Sequence, residues 1–293
     1  AERGFVVTPV IAGQWAAQAD VLRDLPGFAE AFLRDGRAPR VGELFRFPDQ
    51  ARTLREIAAT GGESFYRGAL AGRIAAFAAA TGGAMTAADL ATHAATPVEP
   101  IAQRYRDHTL HEIPPNGQGI AALIALGILG EFELASLAPE SADSVHLQAE
   151  AMKLAFADAY AHVADPEAMR VRWQALLDPA YLAQRAKRID RDRAQDFGAG
   201  APPDSGTVYL TAADAGGMMV SYIQSNYMGF GSGVVVPGTG ISLQNRGAGF
   251  SLEAGHPNEV APGKRPFHTI IPGFVTRDGR AVMSFGVMGG DMQ

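Results

Sequence analysis

The pattern of apolar and polar positions divides the chain in two. Up to about residue 197, apolar residues recur at spacings of three and four, as at Val145, Ala149, Met152, Phe156 and Tyr160, which lays one stripe along a helix. Asp143 or Ser144 is placed to cap that helix, and Asp165 followed by Pro166 stops it. The uninterrupted apolar run at 120–129 is roughly half of what a membrane crossing needs and predicts a buried helix instead. Another helix is predicted over 179–193, with Pro179 in the favoured first-turn position after Asp178. From Thr207 onward the period changes. Short β-branched and apolar runs at 208–213, 218–224, 233–236, 269–276 and 281–286, punctuated by glycine, predict strands. An earlier run at 109–113 reads the same way. Between the halves, the segment GAGAPPDSG at 198–206 has neither periodicity nor bulk and reads as a loop or linker.

Composition sharpens this picture in a few places. With 47% apolar and 19% charged residues over 293 positions, the chain can bury a large core, which excludes a disordered or fibrous protein and fits one large domain or two small ones. The net charge is 25 − 31 = −6. Arginine outnumbers lysine 22 to 3, but the arginines are scattered, the one dense run being 185–193; no footprint for nucleic acid results. The absence of cysteine excludes a disulfide framework, a thiolate nucleophile and cysteine-ligated zinc. The first residues, Ala1 to Gly4, carry no initiator Met and no charged-then-apolar leader, so targeting information is expected to have been removed or to lie outside this sequence. Of the 34 glycines, 16 fall within 216–290. That density predicts tight turns and chemistry on main-chain N–H groups.

Four constellations are candidates for chemistry. Gly117, Gly119 and Ala122, after a strand and before an apolar helix, superficially match a dinucleotide fingerprint that would bind a nucleotide or small anion. Pro114 and Pro115 argue against the tight turn that motif needs, and a close-packed helix entry is the plainer account. His108 and His111 point to opposite faces of a strand, so they do not share a metal easily. Ser232 lacks the glycine spacing of a nucleophile elbow and reads as part of a backbone turn. Thr207 opens a strand directly after the flexible segment. A threonine hydroxyl needs a base, and an N-terminal threonine supplies its own α-amine, with a reference pKa of about 8. That amine exists only if the Gly206–Thr207 bond is first cut, and an exposed glycine on the amino side suits attack of the hydroxyl on its own preceding carbonyl.

The segments TVYLTAAD at 207–214, GFGSG at 229–233, GISLQN at 240–245, PGKRP at 262–266 and GVMGG at 286–290 together resemble the small-subunit half of the γ-glutamyltransferases, which are N-terminal-nucleophile hydrolases. Pro114-Pro115 before a glycine-rich helix start, HLQAEAMKLAFAD at 146–158 and LLDPAY at 176–181 are similar to the large-subunit motifs of that family, in the same order. The resemblance implies an α/β fold of the four-layer αββα sandwich type. It also implies a mainly helical large-subunit portion over 1–206 and a glycine-rich β small-subunit portion over 207–293, one domain after autocleavage. Family chains extend beyond both ends seen here, so the sequence is expected to be an internal piece.

By the same resemblance, Gly206 and Thr207 are the processing site and Thr207 the nucleophile. Ser225 stands where a second hydroxyl orients the nucleophile, and Gly289 and Gly290 match the pair whose N–H groups hold the oxyanion. Substrate positions correspond to Tyr227, Arg246 and Gly249, and to His268 and Thr269 in place of a pair of serines. Arginine repels an ammonium and suits a carboxylate. A glutaryl or cephalosporin-type acyl amide therefore stands open beside a γ-glutamyl donor, with water or an amine as acceptor. The implied partner is a small-molecule amide, with no cofactor, no metal, no nucleic acid and no membrane; self-association into a homo-oligomer is left open. Location is read as cytoplasmic, with the periplasm as the alternative.

Overall fold

The computed structural model describes residues 1–197 and 206–289. The chain divides into two compact units, one made of residues 1–97 and 228–245, the other of residues 98–227 and 246–293.

In the first unit, helices such as Pro9–Leu22 and Pro48–Ala59 surround an aromatic core. Trp15, Phe28, Phe32 and Phe45 are buried, and Phe230, from the far end of the sequence, meets three of them with ring centroids 5.5, 5.2 and 4.8 Å from Trp15, Phe28 and Phe32. The glycines beside Phe230 make that insertion possible. Gly231 has φ +66°, and a Cβ there would sit 2.4 Å from the Leu243 carbonyl oxygen, so only glycine fits. The Ser232 hydroxyl donates to the Leu243 carbonyl at 2.8 Å; it belongs to a backbone turn, as the sequence suggests.

The second unit carries two antiparallel strand systems and a helical layer. Strands β1 (Ile101–Tyr105) and β2 (His108–Glu112) are joined by two later strands, β5 (Gly273–Arg277) and β6 (Arg280–Phe285), in the order β6-β5-β2-β1. Helix α1 (Gly119–Leu129) and the 21-residue α2 (Ala142–His162) build the core with Ile120, Leu123, Ile124, Ile128, Leu147 and Leu154. Helix α3 (Pro179–Ala186) packs beside α1, where a Cβ on Gly127 would lie 2.4 Å from Leu182 Cδ1. The other strand system is the hairpin of β3 (Gly206–Ala213) and β4 (Met219–Tyr227), with Thr207 opposite Ser225 and a shift in register between Gly206 and Thr207.

Helix α2 differs from its sequence reading in two respects. Its cap is Ser141, whose hydroxyl accepts from the Ser144 N–H, because that residue keeps extended backbone and precedes the first helical turn. Its buried face runs through Leu147, Ala151, Leu154, Ala155 and Ala159, whereas Val145 is exposed. Small alanines let α1 approach closely, so the helix turns that face inward and leaves Met152, Phe156 and Tyr160 half-buried at its flank. The α3 segment is shorter than predicted, ending at Ala186, and its Asp178 side chain caps the N–H groups of Ala180 and Tyr181. The strand expected over 269–276 also starts later than the pattern suggests, at Gly273. Residues 269–272 instead follow His268, which is bridged to Gly117. Among the described residues no helix is long and apolar enough to cross a membrane.

Candidate active site

Strand β3 begins at the residue pair Gly206 and Thr207, and the ladder to β4 breaks its register between them. The Thr207 hydroxyl donates to Ser225 Oγ at 3.1 Å. The same Ser225 oxygen accepts the Tyr227 N–H at 2.9 Å. The Thr207 hydroxyl and the Tyr227 N–H thus both point their hydrogens at that one oxygen.

The oxyanion candidates approach the same strand. Directly after β6 the chain passes through Gly286, where a Cβ would lie 2.4 Å from the Tyr209 ring; a side chain there would push this segment off β3. Met288 Sδ accepts from the Tyr209 N–H at 3.3 Å, which ties the residue before Gly289 to a point two residues beyond Thr207. Gly289 has φ +135°, a conformation that a side chain would resist, with open space where a Cβ would be. Gly290 lies outside the described residues.

Tyr227, at the end of β4, has φ +78° and is buried. Left-handed backbone costs a bulky residue about 1–2 kcal/mol, so the surroundings must hold it there. They do so from both sides. Its N–H is tied to Ser225, and the Arg246 guanidinium stacks 4.6 Å above its ring. Arg246 is itself buried and donates to Thr269 Oγ1 at 2.8 Å. His268 is clasped by its main chain, donating to the Asn116 carbonyl at 2.9 Å and accepting from the Gln118 N–H at 2.8 Å. Its Nδ1 accepts from the Ile270 N–H. Burial, with the Arg246 charge second, pushes the His268 imidazole down to about 3, so it is neutral at ordinary pH.

Tyr227, Gly249 and Thr269 line a cavity of about 250 Å³ together with Tyr160, Glu253 and Phe267. Arg246 is behind this wall and reaches the cavity through Tyr227 and Thr269. A neighbouring hollow of about 640 Å³ shares Tyr160, Glu253 and His256 and adds Arg170. The structure therefore brings Thr207 to Ser225, and Tyr227, Arg246 and Thr269 to one another. Sequence reasoning missed the residues that complete the wall. The available signal was the His256-Pro257-Asn258 turn: the Asn258 amide donates to the Gly249 carbonyl at 2.6 Å and its carbonyl accepts the Phe267 N–H at 2.9 Å, holding the two sides of the cavity together.

Two other candidates have structural partners. His108 pairs with Asp107 and His111 with Thr276, and among the described residues no three His, Asp or Glu side chains are placed to hold a metal. The Gly117–Gly119 backbone is occupied by His268, and a Cβ on Gly119 would strike the Glu112 carboxyl at 2.8 Å. A pyrophosphate would meet that acid at the helix start.

Comparison with known proteins decides the family. The model of the γ-glutamyltranspeptidase family matches residues 1–293. The chain belongs to the γ-glutamyltranspeptidase family. It is 44% identical to the oxamate amidohydrolase proenzyme of Klebsiella pneumoniae, with 100% of this chain covering 55% of that protein. It is 36% identical to the glutathione hydrolase-like YwrD proenzyme of Bacillus subtilis, again over 100% of this chain and 55% of the relative. Among solved structures, a cephalosporin acylase from Bacillus halodurans superposes with a TM-score of 0.92 at 49% identity, covering 99% of this chain and 54% of that one. The chain spans about half the length of the curated relatives it matches. Its structural neighbours are N-terminal-nucleophile hydrolase family enzymes of mixed helix and strand content.

Proposed function

We propose that this member of the γ-glutamyltranspeptidase family is an amidohydrolase or acyltransferase that cuts itself between Gly206 and Thr207 and then works through an acyl-enzyme on Thr207. The observation that carries the reading is the Thr207 hydroxyl held 3.1 Å from Ser225 Oγ at the break in the β3–β4 ladder. In the precursor the hydroxyl oxygen attacks the Gly206 carbonyl carbon, the C–N bond breaks as the nitrogen takes a proton, and water hydrolyses the resulting ester. Residues 1–206 and 207–293 then belong to separate chains. The liberated α-amine accepts the proton of the Thr207 hydroxyl as its oxygen attacks the substrate amide, and returns that proton to the leaving amine. The N–H groups of Gly289 and Gly290 take the oxyanion. Water or an amine releases the acyl group. The architecture assigned to the whole enzyme is the four-layer αββα sandwich.

The acyl side of the substrate is assigned to Tyr227, Arg246, His268 and Thr269. A neutral His268 and a buried arginine behind a wall of mixed polarity favour an acyl group that carries a carboxylate. Oxamate, glutaryl and γ-glutamyl amides all meet that description, and two of the relatives are named as an oxamate amidohydrolase and a glutathione hydrolase-like protein. Denaturing electrophoresis with N-terminal sequencing tests the first step: a new chain starting at Thr207 is expected, and Thr207→Ala should stay intact and inert. A wild-type protein that stays whole would sink the proposal. Ammonia release from oxamate, compared with p-nitroaniline release from γ-glutamyl and glutaryl anilides, then ranks the donors.

A further inference from the structure

Glu112, the last residue of β2, is 2% exposed. Neither carboxyl oxygen has a hydrogen-bond partner among the described residues. Two glycines make room for it. A Cβ on Gly119 of α1 would lie 2.8 Å from Oε2, and one on Gly273 of β5 would lie 3.0 Å from Oε1. The same position on Gly273 is 2.6 Å from the Phe285 ring, so the acid and that ring sit side by side over one glycine. Phe285 opens the run that passes under Tyr209 at Gly286 and reaches Gly289.

No charged side chain among the described residues faces this niche. Helix α1 carries none. Arg104 and Tyr105 on β1, His108 on β2, Arg277 on β5 and Arg280 on β6 lie toward the far end of the sheet, and Glu112 pairs with Ile101 at the near end. His111 points to the opposite face and holds Thr276 at 2.9 Å. An ionised carboxylate in such surroundings is expensive, whereas the neutral acid packs as an ordinary side chain.

Resting on the function proposed above, we infer that Glu112 is a positioning residue for the oxyanion segment: its uncharged carboxyl props Phe285 and thereby sets the path of the chain from Gly286 to Gly289 against β3. Charging it should push Phe285 aside and misplace the donors. Burial alone pushes the Glu112 carboxyl up to about 8, so the misplacement belongs to alkaline solution. The Thr207 amine, by contrast, must be neutral to act as a base and governs the acid side of the profile.

The test is the pH dependence of kcat for p-nitroaniline release from γ-glutamyl- and glutaryl-p-nitroanilide by the full-length protein. The wild type should lose activity above the Glu112 titration, roughly tenfold or more by pH 9.5 for a one-proton step. Glu112→Gln, neutral and of the same shape, should lose less than about threefold over that range and keep its KM. Glu112→Ala, which removes the prop, should lower kcat about tenfold at every pH with KM little changed. An alkaline limb that survives unmoved in Glu112→Gln overturns the inference, as does a Glu112→Ala protein with wild-type kcat. A Glu112→Gln protein that melts below the wild type overturns it too, since a neutral isostere should fit the niche. Failure of the parent reading looks different: the wild type would then be neither cut at Thr207 nor active.

Discussion

Substitution of Arg185 by methionine exposes the balance of forces that joins α3 to α2. Arg185 donates to Asp158 at 2.9 Å and to the Leu154 carbonyl at 3.1 Å, and the Tyr181 hydroxyl donates to the other Asp158 oxygen at 2.9 Å. The two charged side chains are 11% and 8% exposed. Burial pushes the Asp158 carboxyl above its usual range even though Arg185 and Tyr181 pull it down; desolvation is the larger force. Removing Arg185 leaves that carboxylate buried without its counter-charge, a change that costs about 3–5 kcal/mol. The folded acid already binds its proton more tightly than the unfolded one, so Asp158 favours the fold at low pH and loses that contribution as pH rises through its folded pKa. Arg185→Met raises that pKa further and enlarges the loss. Urea midpoints at pH 4 and pH 8 should therefore show a modest deficit at pH 4 and the full one at pH 8. Arg185→Met combined with Asp158→Leu should recover most of the alkaline loss. A deficit equal at both pH values, or a double variant no better than the single, would refute desolvation as the dominant force.

Other outcomes follow from the same geometry. Gly273→Ala places a methyl 2.6 Å from the Phe285 ring and should cost about 1–3 kcal/mol by overpacking, seen as a lower melting temperature. His268 stays neutral in the fold while the unfolded chain protonates below about 6.5, so it weakens the fold as pH falls; about 2 kcal/mol should go between pH 6.5 and 5. His268→Asn should flatten that slope, and an unchanged slope refutes the assignment. Ser225→Ala removes the acceptor of both the Thr207 hydroxyl and the Tyr227 N–H. It should slow p-nitroaniline release at least about tenfold, and wild-type turnover would count against the pairing.

The parts of the fold that local chemistry dictates were legible in the sequence, and the parts set by distant packing were not. The buried helix at Gly119–Leu129 is apolar all round, and no partner is needed to recognise that. The face that α2 buries was misread because alanines score weakly in a stripe while Met152, Phe156 and Tyr160 score strongly; close approach to α1 prefers the small residues. Thr207 and Ser225 could be named from motif resemblance, since their pairing follows from strand order. Tyr160 and His256 could not, because they are 96 residues apart in sequence and are brought together by the fold, where His256 Nε2 contacts the Tyr160 carbonyl. Glu112 is an intermediate case. Alternation puts it on the same face as the buried Leu110, but an acid on an inward face signals something only once Gly119 and Gly273 are known to stand over it.

The placement of Arg246 bears on what kind of acyl group the proposed enzyme would accept. Were the guanidinium to project into the cavity, it would act as a bidentate clamp and fix one carboxylate at one distance. It is stacked instead on the Tyr227 ring, with a hydrogen bond to Thr269, so its charge reaches the cavity as a field. At an effective dielectric constant of about 20, a carboxylate some 6 Å away gains about 3 kcal/mol from such a charge, and the exposed Glu253 at the rim offsets only the screened remainder. A field falls off gradually with distance, whereas a clamp tolerates little displacement. On the proposed reading, carboxylates at different distances from the scissile amide, as in oxamate and in glutaryl amides, would both be served, and discrimination between them would fall to the length of the cavity between Thr269 and Tyr160.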